Sequence, residues 1–224
     1  MKLEKITSEP ASRNRWYDDA CGTAHALELV GERWSLLIVR ELVLGPRRFG
    51  DLRASLPGIS ANVLTQRLES LEGAGVLMRR KLPPPASVQV YELTPWGLEA
   101  EEAIKALGRW AARSPDHDPT LPLSPVSLML SFRTMFDTDR AGKAAMVLGF
   151  RFGAEAFTVR VADGVLTATR GDSDEAQVRI EATPEAVAGI VYGGAGLETV
   201  TVSGDAAVFE RFAGFFELPP KAGA

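Results

Sequence analysis

The sequence predicts an α+β chain of two domains, the first helical with a β-hairpin and the second built on a mainly antiparallel or mixed sheet. Apolar residues recur with helical spacing in the first half, whereas they alternate with polar ones in the second. Between the halves, residues 114–125 contain four prolines among Asp, Ser and Thr, a composition typical of a linker. We therefore place the domains at residues 1–113 and 126–224.

The first domain begins with segments typical of a small helical core. Residues 1–17 show no period and are interpreted as an arm. Asp18 or Asp19 is positioned to start a helix that reaches Val30. Residues 34–44 are apolar nearly all round, as expected for a central helix.

Residues 49–93 combine a short helix, a tight turn, a second helix and a basic hairpin. Residues 50–56 are followed by Pro57-Gly58, a dipeptide that ends helices and turns chains. Ser60 then caps the second helix through its hydroxyl. The buried stripe of this second helix consists of Leu64, Leu68 and Leu71.

The opposite face of this second helix is polar, with Asn62, Thr65, Gln66 and Glu69. Asn and Gln suit bidentate contact with adenine, so the pattern favours a helix that reads base edges in double-stranded DNA. An ordinary helical hairpin is the alternative. The residues predicted to contact DNA here are Ser60, Asn62, Thr65, Gln66 and Arg67.

A basic hairpin is predicted at residues 76–82 and 87–93, joined by Pro83-Pro84-Pro85-Ala86. Three adjacent cations on its first strand suit phosphate or minor-groove contact, although a solvated basic strand has the same composition. Residues 33–81 carry 9 basic and 4 acidic side chains, while the net charge of −4 arises from the C-terminal half. The cations expected to contact the DNA backbone are Arg79, Arg80 and Lys81, with Arg47 and Arg48 as further candidates.

A long helix is predicted from Thr94-Pro95, a capped start with proline at the first helical position, to about Arg113. Its apolar face needs a partner, and a second copy of the chain is favoured over packing within its own domain. We therefore expect a homodimer. The apolar positions are Trp96, Ala100, Ala103, Leu107 and Trp110.

The second domain is predicted to alternate strands and helices. Asp163-Gly164 is a two-residue hairpin turn. Helices are expected at residues 126–136, from Thr183 to about Tyr192, and from Asp205 onward. Strands are expected at residues 144–152, 156–162, 165–170, 176–182 and 198–202.

Four motifs together closely resemble the HxlR-type winged helix-turn-helix transcriptional regulators over residues 18–113. They are CGTAHALELVGERW from Cys21, LGPRRFGDLR from Leu44, LPGISANVLTQRL from Leu56 and YELTPWG from Tyr91. The resemblance implies sequence-specific binding to double-stranded DNA. It also aligns Cys21 with a cysteine that some members use as a thiol switch, and a helix N-terminus would favour the thiolate. An inert small hydrophobe is the alternative for Cys21.

The order of elements over residues 125–217 resembles the sterol carrier protein 2 (SCP2) fold, by pattern more than by motif. The resemblance implies an apolar cavity for lipid-like ligands, and hence a domain that senses an apolar small molecule. The alternative is that the aromatic rings simply fill a core. The residues named for this pocket are Phe132, Phe136, Phe150, Phe152, Phe157, Phe209 and Phe212.

Several classes of function lack their usual residues. We find no catalytic constellation, phosphate loop or dinucleotide fingerprint, and a single cysteine with two distant histidines predicts no metal site and no cofactor. No apolar run approaches the ~20 residues of a membrane span, and no signal peptide is recognisable, so a cytoplasmic protein is expected. The sequence thus predicts a dimeric DNA-binding regulator rather than an enzyme. The alternative is a lipid-binding or assembly module whose winged domain contacts proteins.

Overall fold

A computed structural model describes residues 17–223, with helices dominating the first half and a β-sheet the second. Apart from Tyr17, the predicted arm lies outside the described residues. Among those that are described, no helix has both the length and the apolar character needed to cross a membrane.

The first half folds as predicted into helices followed by a β-hairpin and one long helix. Its elements are α1 (Gly22–Val30), α2 (Ser35–Leu42), α3 (Phe49–Ser55), α4 (Ala61–Gly73), β1 (Leu77–Lys81), β2 (Gln89–Leu93) and α5 (Pro95–Ala111).

The caps predicted for α4 and α5 are confirmed, whereas the cap predicted for α1 is wrong. The Ser60 hydroxyl accepts from Val63 N at 3.2 Å, and the Thr94 hydroxyl accepts from Gly97 N at 3.0 Å. Helix α1 starts later than expected, with Cys21 at its N-cap. The carboxylate of Asp19 accepts from Cys21 N instead, which uses it in the turn before the helix.

The second half contains α6 (Pro125–Met135), α7 (Thr138–Ala141), β3 (Met146–Phe152), β4 (Glu155–Ala162), β5 (Val165–Arg170), β6 (Val178–Glu181), α8 (Pro184–Gly193), β7 (Thr201–Gly204) and α9 (Ala206–Ala213). The strand order is β5-β4-β3-β6-β7. Strands β3 and β6 are parallel and the other neighbours antiparallel, so the sheet is mixed, as predicted.

One predicted strand is displaced. Residues Leu197–Thr199 form a 3₁₀ turn, closed by a bond from Val200 N to Leu197 O at 3.1 Å. The strand therefore begins only at Thr201, which pairs with Glu181. The predicted strand, residues 198–202, starts three residues before the observed one. The residues of the turn alternate between polar and apolar in the same way as a strand.

Phenylalanine rings occupy the interior where a ligand cavity was expected. Phe132 and Phe212 are fully buried, with ring centroids 5.2 Å apart, and Phe150 lies 5.7 Å from Phe132. Phe157 and Phe209 are also fully buried, while Phe136 and Phe152 lie at the margin of the same cluster. In this conformation the rings form a packed core. Ligand binding among them stays a prediction that requires the rings to move.

The two halves pack against each other. Helix α6 contacts α2 and α5 on one side and β5 on the other, and the buried side chains of both halves form one contiguous cluster. Arg133 of α6 pairs with Glu101 of α5 at 2.8 Å. Ser124 donates its hydroxyl hydrogen to the buried carboxylate of Glu41 at 2.6 Å. Residues 114–125 therefore connect two bodies that are in direct contact.

Candidate nucleic-acid interface

Helices α3 and α4 form a helix-turn-helix around a glycine turn. Gly58 has φ +89°, a left-handed conformation that side chains rarely adopt, and this lets the chain reverse within five residues. Leu64, Leu68 and Leu71 are fully buried and fix α4 to the core. The opposite face of α4 is thereby directed outward.

The polar residues predicted to read bases lie on this outward face. Asn62, Thr65 and Gln66 are exposed, as is Glu69 one turn further along. Ser60, at the beginning of the helix, is also exposed, but its hydroxyl is engaged in capping. The structure thus brings the amides of Asn62 and Gln66 together on a solvent-facing helix.

The hairpin β1–β2 projects next to α4. It pairs antiparallel from Leu77↔Leu93 to Lys81↔Gln89. The inner ends of both strands, Leu77 and Leu93, are buried, whereas residues 79–81 are exposed. At its base, the Thr94 hydroxyl donates to Gly75 O at 2.8 Å, which joins the hairpin to the end of α4.

Two of the hairpin cations are held by neighbouring carboxylates. The Arg79 Nε donates to Glu72 Oε2 at 2.9 Å, and this bond lowers the pKa of the Glu72 carboxyl. Arg80 Nε lies 2.8 Å from Glu92 Oε2. Both ion pairs are partly exposed and therefore exchangeable, because surface pairs contribute only ~0–1 kcal/mol. A phosphate arriving at the hairpin would compete with these carboxylates.

Three exposed cations beside α3 and α4 have no ion-pair partner within residues 17–223: Arg48, Arg53 and Lys81. Arg53 was not predicted from the sequence. Its position in the last turn of α3, next to the exposed side of the turn, follows only from the fold.

Two predicted DNA contacts need correction. Arg47 is only 7% exposed, and its guanidinium pairs with Glu155 of the second half and donates to Ser55 Oγ at 3.0 Å. Its side chain is therefore engaged between the two halves of the chain in this structure. Arg67 turns away from the outward face of α4, because its guanidinium pairs with Glu32 at 2.8 Å. Sequence spacing placed both arginines near the interface but did not show which way they point.

Comparisons with known proteins match the helix-turn-helix part of the chain. The HxlR-like helix-turn-helix profile matches residues 29–118. YtfH of Escherichia coli, an uncharacterised HTH-type transcriptional regulator, is 34% identical over 103 residues, which cover 46% of this chain and 82% of YtfH. The chain belongs to the HxlR-like helix-turn-helix family. YodB of Bacillus subtilis, also an HTH-type transcriptional regulator, is 34% identical over 86 residues, covering 38% of this HxlR-like chain and 77% of YodB.

Among solved structures, reduced YodB from B. subtilis covers 44% of this chain and 98% of its own, with 31% identity and a TM-score of 0.40. The family profile ends at residue 118. The SCP2-like character of the second half stays a prediction.

The thiol of Cys21 lies at the N-cap of α1 in this HxlR-like chain. It is exposed rather than buried. The donors of Thr23, in its backbone and hydroxyl, and the backbone N–H of Ala24 lower the pKa of the Cys21 thiol. These donors favour the thiolate, as expected at a helix N-terminus. A thiol-switch role for Cys21 stays a prediction.

Proposed function

We propose that the protein is a sequence-specific, homodimeric DNA-binding transcriptional regulator in which α4 enters the major groove and the β1–β2 hairpin contacts the backbone. The observation that carries this proposal is the outward face of α4, where Asn62 and Gln66 are exposed. Three further exposed cations, Arg48, Arg53 and Lys81, have no ion-pair partner within residues 17–223. An α-helix with its side chains fits the major groove, about 12 Å wide. The second helix of a helix-turn-helix is the element that reads bases there.

A dimer is supported by the exposed apolar face of α5. Trp110 is 73% exposed, and Trp96 and Leu107, on the same face of the helix, are each 49% exposed. Helix α1 has no buried residue within the described chain and exposes Leu27. An apolar patch of this kind is typical of an interaction surface. A two-fold dimer would cover it and place two copies of α4 on successive half-sites.

Selection from genomic fragments, followed by titration of the selected site, tests base reading. Replacing Asn62 or Gln66 by Ala should weaken binding to the selected site by about 1–3 kcal/mol and leave binding to unrelated DNA nearly unchanged. Lys81→Ala serves as the matched control, because removal of a backbone contact should weaken binding to both DNAs. Equal losses on both DNAs in the Asn62 and Gln66 variants would reject base reading by α4.

The remaining half is proposed to regulate this binding in response to a small molecule. This proposal is supported by a direct contact between the halves, since Arg47, next to α3, forms an ion pair with Glu155 of the second half. If the selection retrieves no DNA, the alternative of a lipid-binding or assembly module, with protein contacts by the winged domain, is favoured instead.

A further inference from the structure

A groove of about 890 Å³ lies between the helix-turn-helix and the second half of the chain. This volume is in the range of small-molecule sites, roughly 300–1,000 Å³. One wall is provided by α2, α3 and the turn after α3, and the other by residues 121–127 and the two ends of the β4–β5 hairpin. Its apolar lining includes Trp34, Leu37, Pro46, Pro57, Leu121 and Leu123.

One end of the groove is a cluster of two guanidinium groups around one carboxylate. Arg47 Nη1 and Arg170 Nη1 each lie 2.5 Å from the same oxygen of Glu155. Burial and the positive charge of Arg47 both lower the pKa of Arg170. For Glu155, burial is outweighed by the hydrogen bonds from Arg47 and Arg170, so the pKa of its carboxyl is lowered. Glu155 thus neutralises one of the two guanidinium charges, and the buried carboxylate of Glu41 acts on Arg170 from further away and offsets part of the other.

The same arginines have hydrogen-bond donors to spare. The Nε of Arg47 and both Nε and Nη2 of Arg170 have no acceptor among the described residues, although all three atoms are buried. Donors left unpaired in this way cost free energy that an incoming acceptor would recover.

The other charged groups at the groove do not supply that acceptor. Arg40 and Glu41 pair with each other at 2.9 Å, although Glu41 Oε2 is itself unpaired. Asp51 is exposed and accepts from Arg48 N at 3.3 Å. Water screens its charge more than that of a buried group.

We propose that this groove binds an amphiphilic organic anion, a carboxylate on an apolar body. The carboxylate would bind to Arg47 and Arg170, either beside Glu155 or in its place, because guanidinium groups bind carboxylates through paired hydrogen bonds. The apolar body would lie along Leu37, Leu121 and Leu123. A neutral amide of the same shape offers one uncharged acceptor oxygen, so its hydrogen bonds to the two guanidinium groups are weaker than those of a carboxylate.

Arg47 connects this site to the DNA-binding elements. Its backbone exchanges hydrogen bonds with Tyr91 of β2 at 2.9 and 2.8 Å, and its side chain holds Ser55 at the end of α3. An anion that draws Arg47 away from Glu155 therefore acts on the hairpin and on α3 at once. Resting on the DNA binding proposed above, this coupling should change operator affinity by about 5- to 150-fold.

Calorimetric titration of the full chain with decanoate, decanamide and decyltrimethylammonium tests the choice of ligand. We expect decanoate to bind at least about tenfold more tightly than decanamide or decyltrimethylammonium. A single charge-assisted hydrogen bond is sufficient for a tenfold ratio of affinities. Equal affinities for decanoate and decanamide, or no decanoate binding at millimolar concentration, would overturn the proposal.

Two substitutions with opposite expected effects on decanoate affinity distinguish loss of the binding site from general damage to the fold. Arg170→Gln should weaken decanoate binding at least about tenfold, whereas Glu155→Gln removes the competing carboxylate and should strengthen it. The matched control is Arg160→Gln, since Arg160 forms an exposed pair with Glu175 on the same sheet. Weaker binding in Glu155→Gln, or unchanged binding in Arg170→Gln, would reject the site.

Operator titrations with and without decanoate test the coupling separately. Ligand binding that follows the variants but leaves operator affinity unchanged would reject the coupling and retain the site. A chain that binds no DNA at all would reject the proposed function, while the calorimetric result would still decide the site.

Discussion

Gly97 sets the distance between α5 and the base of the hairpin. A Cβ at this position would lie 1.9 Å from Val76 O, far inside van der Waals contact with rigid backbone. Gly97→Ala should therefore destabilise the fold by about 1–3 kcal/mol, measured by urea unfolding. Gly50→Ala in α3 is the control, because a Cβ there meets nothing within 4 Å. Equal stability of the two variants would show that α5 can shift without cost.

Arg47 shows at the same scale why side-chain roles are harder to predict than elements. Its sequence position, next to Arg48 at the entrance to α3, is that of a backbone-contacting cation. The decisive partner is Glu155, 108 positions further along the chain. No local pattern relates these two residues, so only the packing of the two halves shows that one arginine is buried and its neighbour exposed.

At the scale of elements, local physical chemistry was sufficient for most of the fold. Ser60, Thr94 and Thr183 each accept from a backbone N–H three residues later, and all three helix starts follow from sequence. The type I′-like signature Asp163-Gly164 likewise marks the β4–β5 turn, with φ of +52° and +73°. The predicted start of β7 was wrong, because alternation of polar and apolar residues does not distinguish a short 3₁₀ turn from a strand. The parallel pairing of β3 with β6 could not be predicted from periodicity, because 25 residues separate the two strands and periodicity reports only on neighbouring positions.

The hairpin is the element whose contribution to DNA binding is most easily isolated. Replacing Arg79, Arg80 and Lys81 together by Ala should weaken binding on every sequence and reduce the salt slope by about one for each phosphate that the hairpin no longer neutralises. Glu72→Gln provides the opposite change, because it frees Arg79 from its ion pair and should strengthen binding to all DNA. A salt slope that the triple variant leaves unchanged would place the hairpin away from the backbone.

At the scale of the whole molecule, the exposed face of α5 predicts a dimer. Light scattering at micromolar concentration should give twice the chain mass of 24.1 kDa. Trp110→Glu should give the single-chain mass, because a charge in an apolar interface is costly to bury. Val165→Glu is the control, since Val165 is an exposed apolar residue on the second half. A wild-type chain that is monomeric under these conditions would remove the dimer from the proposal.

Contact between the two halves should also make the whole molecule sensitive to acid. The pKa of the Glu155 carboxyl is lowered in the folded chain by Arg47 and Arg170, so its contribution to stability is complete above the unfolded pKa of about 4.3 and is lost as the pH falls below that value. The difference in Tm between wild type and Glu155→Gln should therefore be constant from pH 7 to about pH 5 and shrink below it. Glu175→Gln, which removes the exposed partner of Arg160, controls for the loss of a surface carboxylate. If the Tm difference instead widens on acidification, the two guanidinium groups do not stabilise the charged form of Glu155, and the ion-paired contact between the halves is not what holds Arg47 in place.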